Sequence, residues 1–143
     1  YIYTPYFAVG ETMLEAVKGG AKGGAWTSGC AAGHPGQEAH LPADPLLYVP
    51  LLRAGVRIYE FTPGFLHAKC CVSDDRAAVV GSINMDYRSL FLTLVAGRWL
   101  LYNSQVIALR DDVLRTLPEC REVQLADCRT SLAGTLLDSV LRC

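Results

Sequence analysis

Residues 67–90, HAKCCVSDDRAAVVGSINMDYRSL, are the stretch on which the reading of this chain turns. His67, Lys69 and Asp74 mark its first half, and Gly81, Ser82 and Asn84 its second. Side chains at i and i+2 of a strand share a face, so a strand over HAKCCVS sets the His67 imidazole beside the Lys69 ammonium, with Cys71 further along. Asp74, Asp75 and Arg76 read as a polar turn, and residues 77–80 as the return strand of a hairpin. Ser82 and Asn84, again two apart, then bring a hydroxyl and an amide to the same pocket. An imidazole, a fixed cation and two neutral hydrogen-bonding groups suit a phosphodiester. The cation and the donors hold phosphoryl oxygens, while the imidazole attacks phosphorus or protonates the leaving oxygen.

The spaced pattern H-x-K-x4-D-x6-G-S-x-N resembles the signature of the phospholipase D superfamily. The continuation MDYRSL at 85–90, TPGFLHAK at 62–69 and YIYTPYF at 1–7 narrow the likeness. Together they resemble the C-terminal catalytic half of bacterial cardiolipin synthases. A lone H-x-K arises by accident in a chain of this length, whereas six spaced positions together are specific. The resemblance implies an α/β fold, a phospholipase D-like mixed sheet flanked by helices, forming one of two halves. It also implies an active site built from two copies of the motif. One histidine becomes a phosphohistidine and the other protonates the departing alcohol. In cardiolipin synthases two phosphatidylglycerol molecules yield cardiolipin and glycerol. Carried over, His67 takes the general acid/base role, and Lys69 and Asn84 bind the phosphoryl oxygens. Ser82 hydrogen-bonds nearby, and Asp74, out of phase with His67 on a strict strand, gives electrostatic support. No metal or other cofactor is implied. The partners expected are a phospholipid substrate, a membrane surface, and either an N-terminal half carrying the other motif or a second copy of the chain. The full-length protein is expected at the cytoplasmic side of the cell membrane.

At 143 residues the chain reads as a single domain, and it looks like a fragment of a longer enzyme. It is 51% hydrophobic with a positive mean hydropathy, yet no apolar run reaches the length that crosses a bilayer. Thirteen basic and 14 acidic residues give a net charge of −1, with the arginines scattered singly. A nuclease of the same superfamily would show a basic surface tracking phosphates, so the balance leans away from nucleic acid. The cysteines, Cys30, Cys70, Cys71, Cys120, Cys128 and Cys143, lack C-x-x-C spacing and read as small buried hydrophobes.

In chain order, residues 1–4 read as a strand ending at Pro5, and 11–18 as a short helix with Leu14 and Val17 apolar. Residues 19–45 are rich in glycine and alanine, hold three prolines and lack a β-branched run. They are expected to be one irregular loop, with the family's central strand missing. His34 and His40 fall in it without a lysine partner and read as solvated. Residues 46–54 look helical, broken or kinked at Pro50 and ended by Gly55; 56–61 alternate as a strand. The apolar run 90–102 reads as a buried strand. Asn103 caps a helix through Leu117, and 131–143 read as a second helix packed on the core.

The family has a carboxylate after the motif that orients the histidine; here the segment 92–97 holds no acid, and Val95 takes that place. An imidazole without its acceptor loses tautomer control and basicity. Two further readings therefore stand beside phosphatidyl transfer: a phosphodiesterase or nuclease of the same superfamily, and a catalytically inactive fragment or interaction domain.

Overall fold

The computed structural model describes residues 1–5, 7–22, 28–32, 45–92 and 94–128. His34, His40 and the helix expected over 131–143 lie outside the described residues. The order of elements is β1 (Ile2–Thr4), β2 (Phe7–Ala8), α1 (Glu11–Lys22), β3 (Ser28–Ala32), α2 (Pro45–Arg53), β4 (Arg57–Phe61), β5 (Cys70–Ser73) and β6 (Ala77–Gly81). After these come β7 (Met85–Asp86), a π-helical turn (Arg88–Leu92), β8 (Gly97–Leu101), α3 (Ser104–Thr116), a short 3-10 turn (Leu117–Glu119) and β9 (Cys120–Glu122).

A seven-stranded sheet runs β8-β6-β5-β1-β3-β4-β9, and β2 pairs with β7 beside it. The strands β1, β3 and β4 are parallel, and the outer pairings are antiparallel. Parallel neighbours need crossovers, which α1 and α2 supply. Leu14 and Val17 of α1 and Leu51 of α2 pack with Ile58 and Val123 on one face of the sheet. Val106, Leu109 and Val113 of α3 pack with Tyr3, Tyr59, Cys70, Val72 and Ala78 on the other. Ile58 and Tyr59 are both buried because their strand is covered on both faces. The expected mixed sheet flanked by helices is the observed fold. Complete burial of Val106 and Val113 contributes roughly 1.5–3 kcal/mol each.

Local rules hold at the helix ends. Asn103 Oδ1 accepts from the Gln105 and Val106 amides, capping α3 as expected. Pro50 sits inside α2 without ending it. Gly55, at φ +91°, ends that helix. The Gly55 amide donates to Leu52 O at 3.1 Å and the Val56 amide to Leu51 O at 3.0 Å, the paired bonds of a Schellman stop.

Three expectations fail. The segment 19–45 is not one loop: α1 runs on to Lys22, and β3 lies between β1 and β4 near the middle of the sheet. Ser-Gly-Cys-Ala-Ala has no β-branched residue, and the strand is specified by two neighbours that supply its backbone bonds. The strand expected over HAKCCVS begins only at Cys70, so His67 and Lys69 precede it. The run 90–102 is not a buried strand. It divides into the π-helical turn and an edge strand, and Trp99, Leu101 and Tyr102 are exposed. Periodicity alone cannot separate a core strand from an apolar edge.

Candidate active site

The hairpin places the two halves of the motif. Asp74 and Asp75 have φ of +52° and +57°, and the Arg76 amide donates to Ser73 O at 3.0 Å. Positive φ at both central residues is the mirror-image turn that matches strand twist, and aspartate tolerates it. From this turn β6 returns along β5 until the Gly81 amide donates to Lys69 O at 3.1 Å. That bond sets H-x-K and G-S-x-N side by side at one end of the sheet.

Asp74 is at the other end. Five residue steps along β5 separate it from Lys69 by roughly 16 Å. It is exposed, and its Oδ2 accepts from Ser73 Oγ at 3.1 Å. The structure thus brings Lys69, Ser82 and Asn84 to the His67 end of the hairpin and leaves Asp74 in the turn. The neighbouring Asp75 pairs with Arg110 at 2.6 Å, and Asp111 and Asp112 pair with Arg110 and Arg115. Asp74 and Asp75 form the turn that their sequence context suggested, and Asp111 and Asp112 lie on α3.

His67 is exposed, its ring 5.4 Å from that of Phe65. Lys69 is half-buried, and its ammonium donates to the His67 carbonyl oxygen at 2.8 Å. Burial pushes the Lys69 pKa down. A partly desolvated cation interacts more strongly with a phosphoryl oxygen than a fully hydrated one. Asn84 is half-buried, and its Oδ1 is shielded from solvent with no hydrogen-bond partner among the described residues. Buried polar atoms are rarely left so. Because a carboxamide offers an acceptor on one arm and two donors on the other, rotation about its last bond presents either to a ligand.

Ser82 has a more structural part than the sequence suggested. Its amide donates to Ala96 O at 2.8 Å, and its Oγ accepts from the Ala96 amide at 3.1 Å. The hydroxyl also lies 3.3 Å from Ala96 O. This clamp holds the turn before β8, including Val95, against the motif. Gly81 is required beside it: a Cβ there would stand 2.1 Å from Ala96 O and 2.6 Å from Gly97 Cα. Sequence reasoning missed Thr4. It is buried in β1, and its Oγ1 accepts from the Met85 amide at 3.1 Å. With Phe7 and Met85 paired between β2 and β7, the N-terminal strands fix the backbone just after Asn84. The signal was in YIYTPYF, a hydroxyl residue ending a strand, but its target is 81 residues away.

Cys70 is buried toward α3, while Cys71 lines a cavity of about 620 Å³ near α1, so the adjacent thiols face opposite sides as the strand reading implied. No helix among the described residues is long and apolar enough to cross a membrane.

Comparison with known proteins gives the family. Residues 1–97 match the family model described as cardiolipin synthase, PLD-like domain. The cardiolipin synthase of Clostridium perfringens (strain SM101 / Type A) is 31% identical over 143 residues, covering 99% of this chain and 30% of that protein. An uncharacterized protein of Streptococcus mutans serotype c is 37% identical over 137 residues, covering 96% of this chain and 30% of its own length. The chain therefore spans under a third of these relatives. Among solved structures, phosphatidylserine synthase of Haemophilus influenzae superposes with TM-score 0.68 at 17% identity, covering 99% of this chain and 38% of that one. Nuc of Salmonella typhimurium, a phospholipase D family member, superposes with TM-score 0.67 at 10% identity, covering 86% and 80%. The superposed structures share the fold, and the family-model match over residues 1–97 shows that the chain belongs to the cardiolipin synthase, phospholipase D-like domain family.

Proposed function

We propose that this chain supplies one half of a phosphatidyl-transfer site acting on phosphatidylglycerol at the cytoplasmic face of the cell membrane. The observation that carries the reading is the Gly81 to Lys69 backbone bond, which joins H-x-K to G-S-x-N at one end of the sheet. The likeness to cardiolipin synthases supports the substrate class.

In this scheme a histidine from the other half attacks phosphorus. An N–P bond forms as the P–O bond to glycerol breaks, and His67 gives its proton to the departing alkoxide. The hydroxyl of a second phosphatidylglycerol then attacks phosphorus, a P–O bond forms as the N–P bond breaks, His67 takes the hydroxyl proton, and cardiolipin leaves. Lys69 and Asn84 neutralise and bind the non-bridging oxygens, whose charge grows in each transition state. Asp74, in the distal turn, supports the hairpin rather than the reacting atoms.

One H-x-K supplies either the nucleophile or the acid, and in-line displacement needs both. The exposed His67 fits a site completed by another surface: the N-terminal half of a longer chain, or a second copy across a two-fold axis. The test is phosphatidylglycerol turnover by residues 1–143 alone and with a separately produced N-terminal half. We expect no turnover alone, and reconstituted turnover that His67→Asn abolishes. Steady turnover by the monomer would refute the half-site reading, and turnover rising with dimer concentration would favour the symmetric site. One observation favours a catalytically silent domain instead: Val95 stands where the family has its orienting acid. Failure of the reconstituted protein to turn over would support that reading.

A further inference from the structure

Among the described residues the His67 imidazole makes no hydrogen bond; the bond at this residue is the one Lys69 gives to its backbone oxygen. Its ring contact is with Phe65, centroids 5.4 Å apart and planes 30° from parallel. That separation and tilt belong to an offset stack of two rings. The segment 92–97, which the Ser82 clamp holds against the motif, contains no acid, and Asp74 is in the distal turn. The imidazole is therefore held by its face and not by a nitrogen.

Phe65 stands on tethered chain. On one side of it the Thr62 amide and hydroxyl both donate to Glu119 O, at 3.3 and 2.7 Å. On the other, Leu66 packs against the buried cluster of Tyr3, Tyr59, Cys70 and Val113. Phe65 itself is half-buried while His67 is exposed, so the phenyl ring is the anchored member of the pair. The His67 backbone is tied as well, by the Lys69 ammonium at its oxygen and by the Gly81 amide at Lys69 O. What remains free is rotation about the side-chain torsions of His67, which a ring laid against its face restricts.

We propose that Phe65 is a positioning residue that fixes the plane of the His67 imidazole. The inference deepens the acid/base reading of His67 and rests on it for its consequence in turnover. A stack occupies a face of the imidazole and leaves its edge, where both nitrogens lie, open to the reacting oxygens. A carboxylate at one nitrogen would select a tautomer; a phenyl face selects the plane alone. The ring is then aligned before substrate arrives, so loss of the stack falls on kcat rather than on binding. Were Phe65 present only to cover the core beneath it, leucine would serve as well.

The experiment is NMR of the 143-residue chain labelled in its histidine rings. His67 is assigned as the signal absent from His67→Asn, and His34 and His40 serve as internal references. Cross-relaxation between the Phe65 and His67 ring protons is expected in the parent, with an ordered imidazole. Phe65→Leu should bring the His67 ring into the flexible range, an order parameter below about 0.6, with His34 and His40 unchanged. Phe65→Tyr should keep the parent's order. Backbone amide signals of β5 and β6 check the fold, and Phe65→Met replaces the leucine variant if they move. A mobile parent imidazole, or equal order without the aromatic ring, would overturn the proposal. In the protein reconstituted with its N-terminal half, Phe65→Leu should lower kcat roughly two- to twelvefold, the equivalent of one aromatic pair, with KM little changed. A change confined to KM would also overturn it. An imidazole ordered by Phe65 in a protein without turnover would sink the catalytic reading alone, and turnover indifferent to Phe65 would sink the positioning reading alone.

Discussion

Gly81→Ala tests the architecture of the site most directly. The new methyl would stand 2.1 Å from Ala96 O, well inside the ordinary separation of about 3.5 Å, with Gly97 Cα at 2.6 Å and Ala96 C at 3.0 Å. All three are backbone atoms of the segment paired with β6, so no side chain can turn away. The strands must part at the Gly81–Gly97 pair. The Ser82 clamp to Ala96 then weakens, with its bonds of 2.8 and 3.1 Å. Overpacking strain of about 1–3 kcal/mol adds to about 1 kcal/mol for each lost bond. Reduced freedom of the unfolded chain returns about 0.4–1 kcal/mol. A net loss of about 2–4 kcal/mol is expected, lowering the melting temperature by roughly 5–15 °C. Gly97→Ala is the control. Its methyl would meet Ile83 Cδ1 at 2.9 Å, the end of a flexible side chain that can rotate, so about 0–1 kcal/mol is expected. Urea unfolding of both variants gives the comparison. If the two differ by less than about 0.5 kcal/mol, the close approach of β6 to the turn before β8 is not what Gly81 serves.

Three other outcomes are expected. Val95→Glu in a full-length protein should raise turnover by about 10- to 100-fold if the missing acceptor limits His67, by analogy with measured partners of metal-bound histidines; an unchanged rate with the fold intact would show that another group already holds the ring. Asn103→Ala should lower stability by about 1 kcal/mol in urea unfolding, because its Oδ1 accepts from two amides at the start of α3. Burial raises the Cys70 thiol to about 11, with the neighbouring Cys71 adding to it. At pH 8 its thiolate fraction is then roughly a hundredfold below that of an ordinary surface thiol, so mass spectrometry after brief iodoacetamide treatment should find Cys70 unmodified; rapid modification would mean β5 opens readily.

The sequence by itself determined the parts that depend on neighbours a few residues away. Asn103 capped its helix, Gly55 ended α2, and Asp74 and Asp75 made the hairpin turn, because caps and turns are local chemistry. The family was legible from six spaced residues, since transfer at phosphorus fixes residue types at set intervals. Tertiary structure decided the rest. The strand β3 forms from residues with little strand preference because β1 and β4 flank it and satisfy its backbone. The run 90–102 is apolar yet exposed, for hydrophobicity records what a side chain prefers and not whether another layer covers it. His67 and Lys69 precede β5, and the Gly81 amide, not a strand of their own, joins Lys69 to the G-S-x-N segment. Thr4 reaches Met85 across 81 residues of chain. Such a contact carries no period or spacing, because it exists only once the sheet has brought its two strands together.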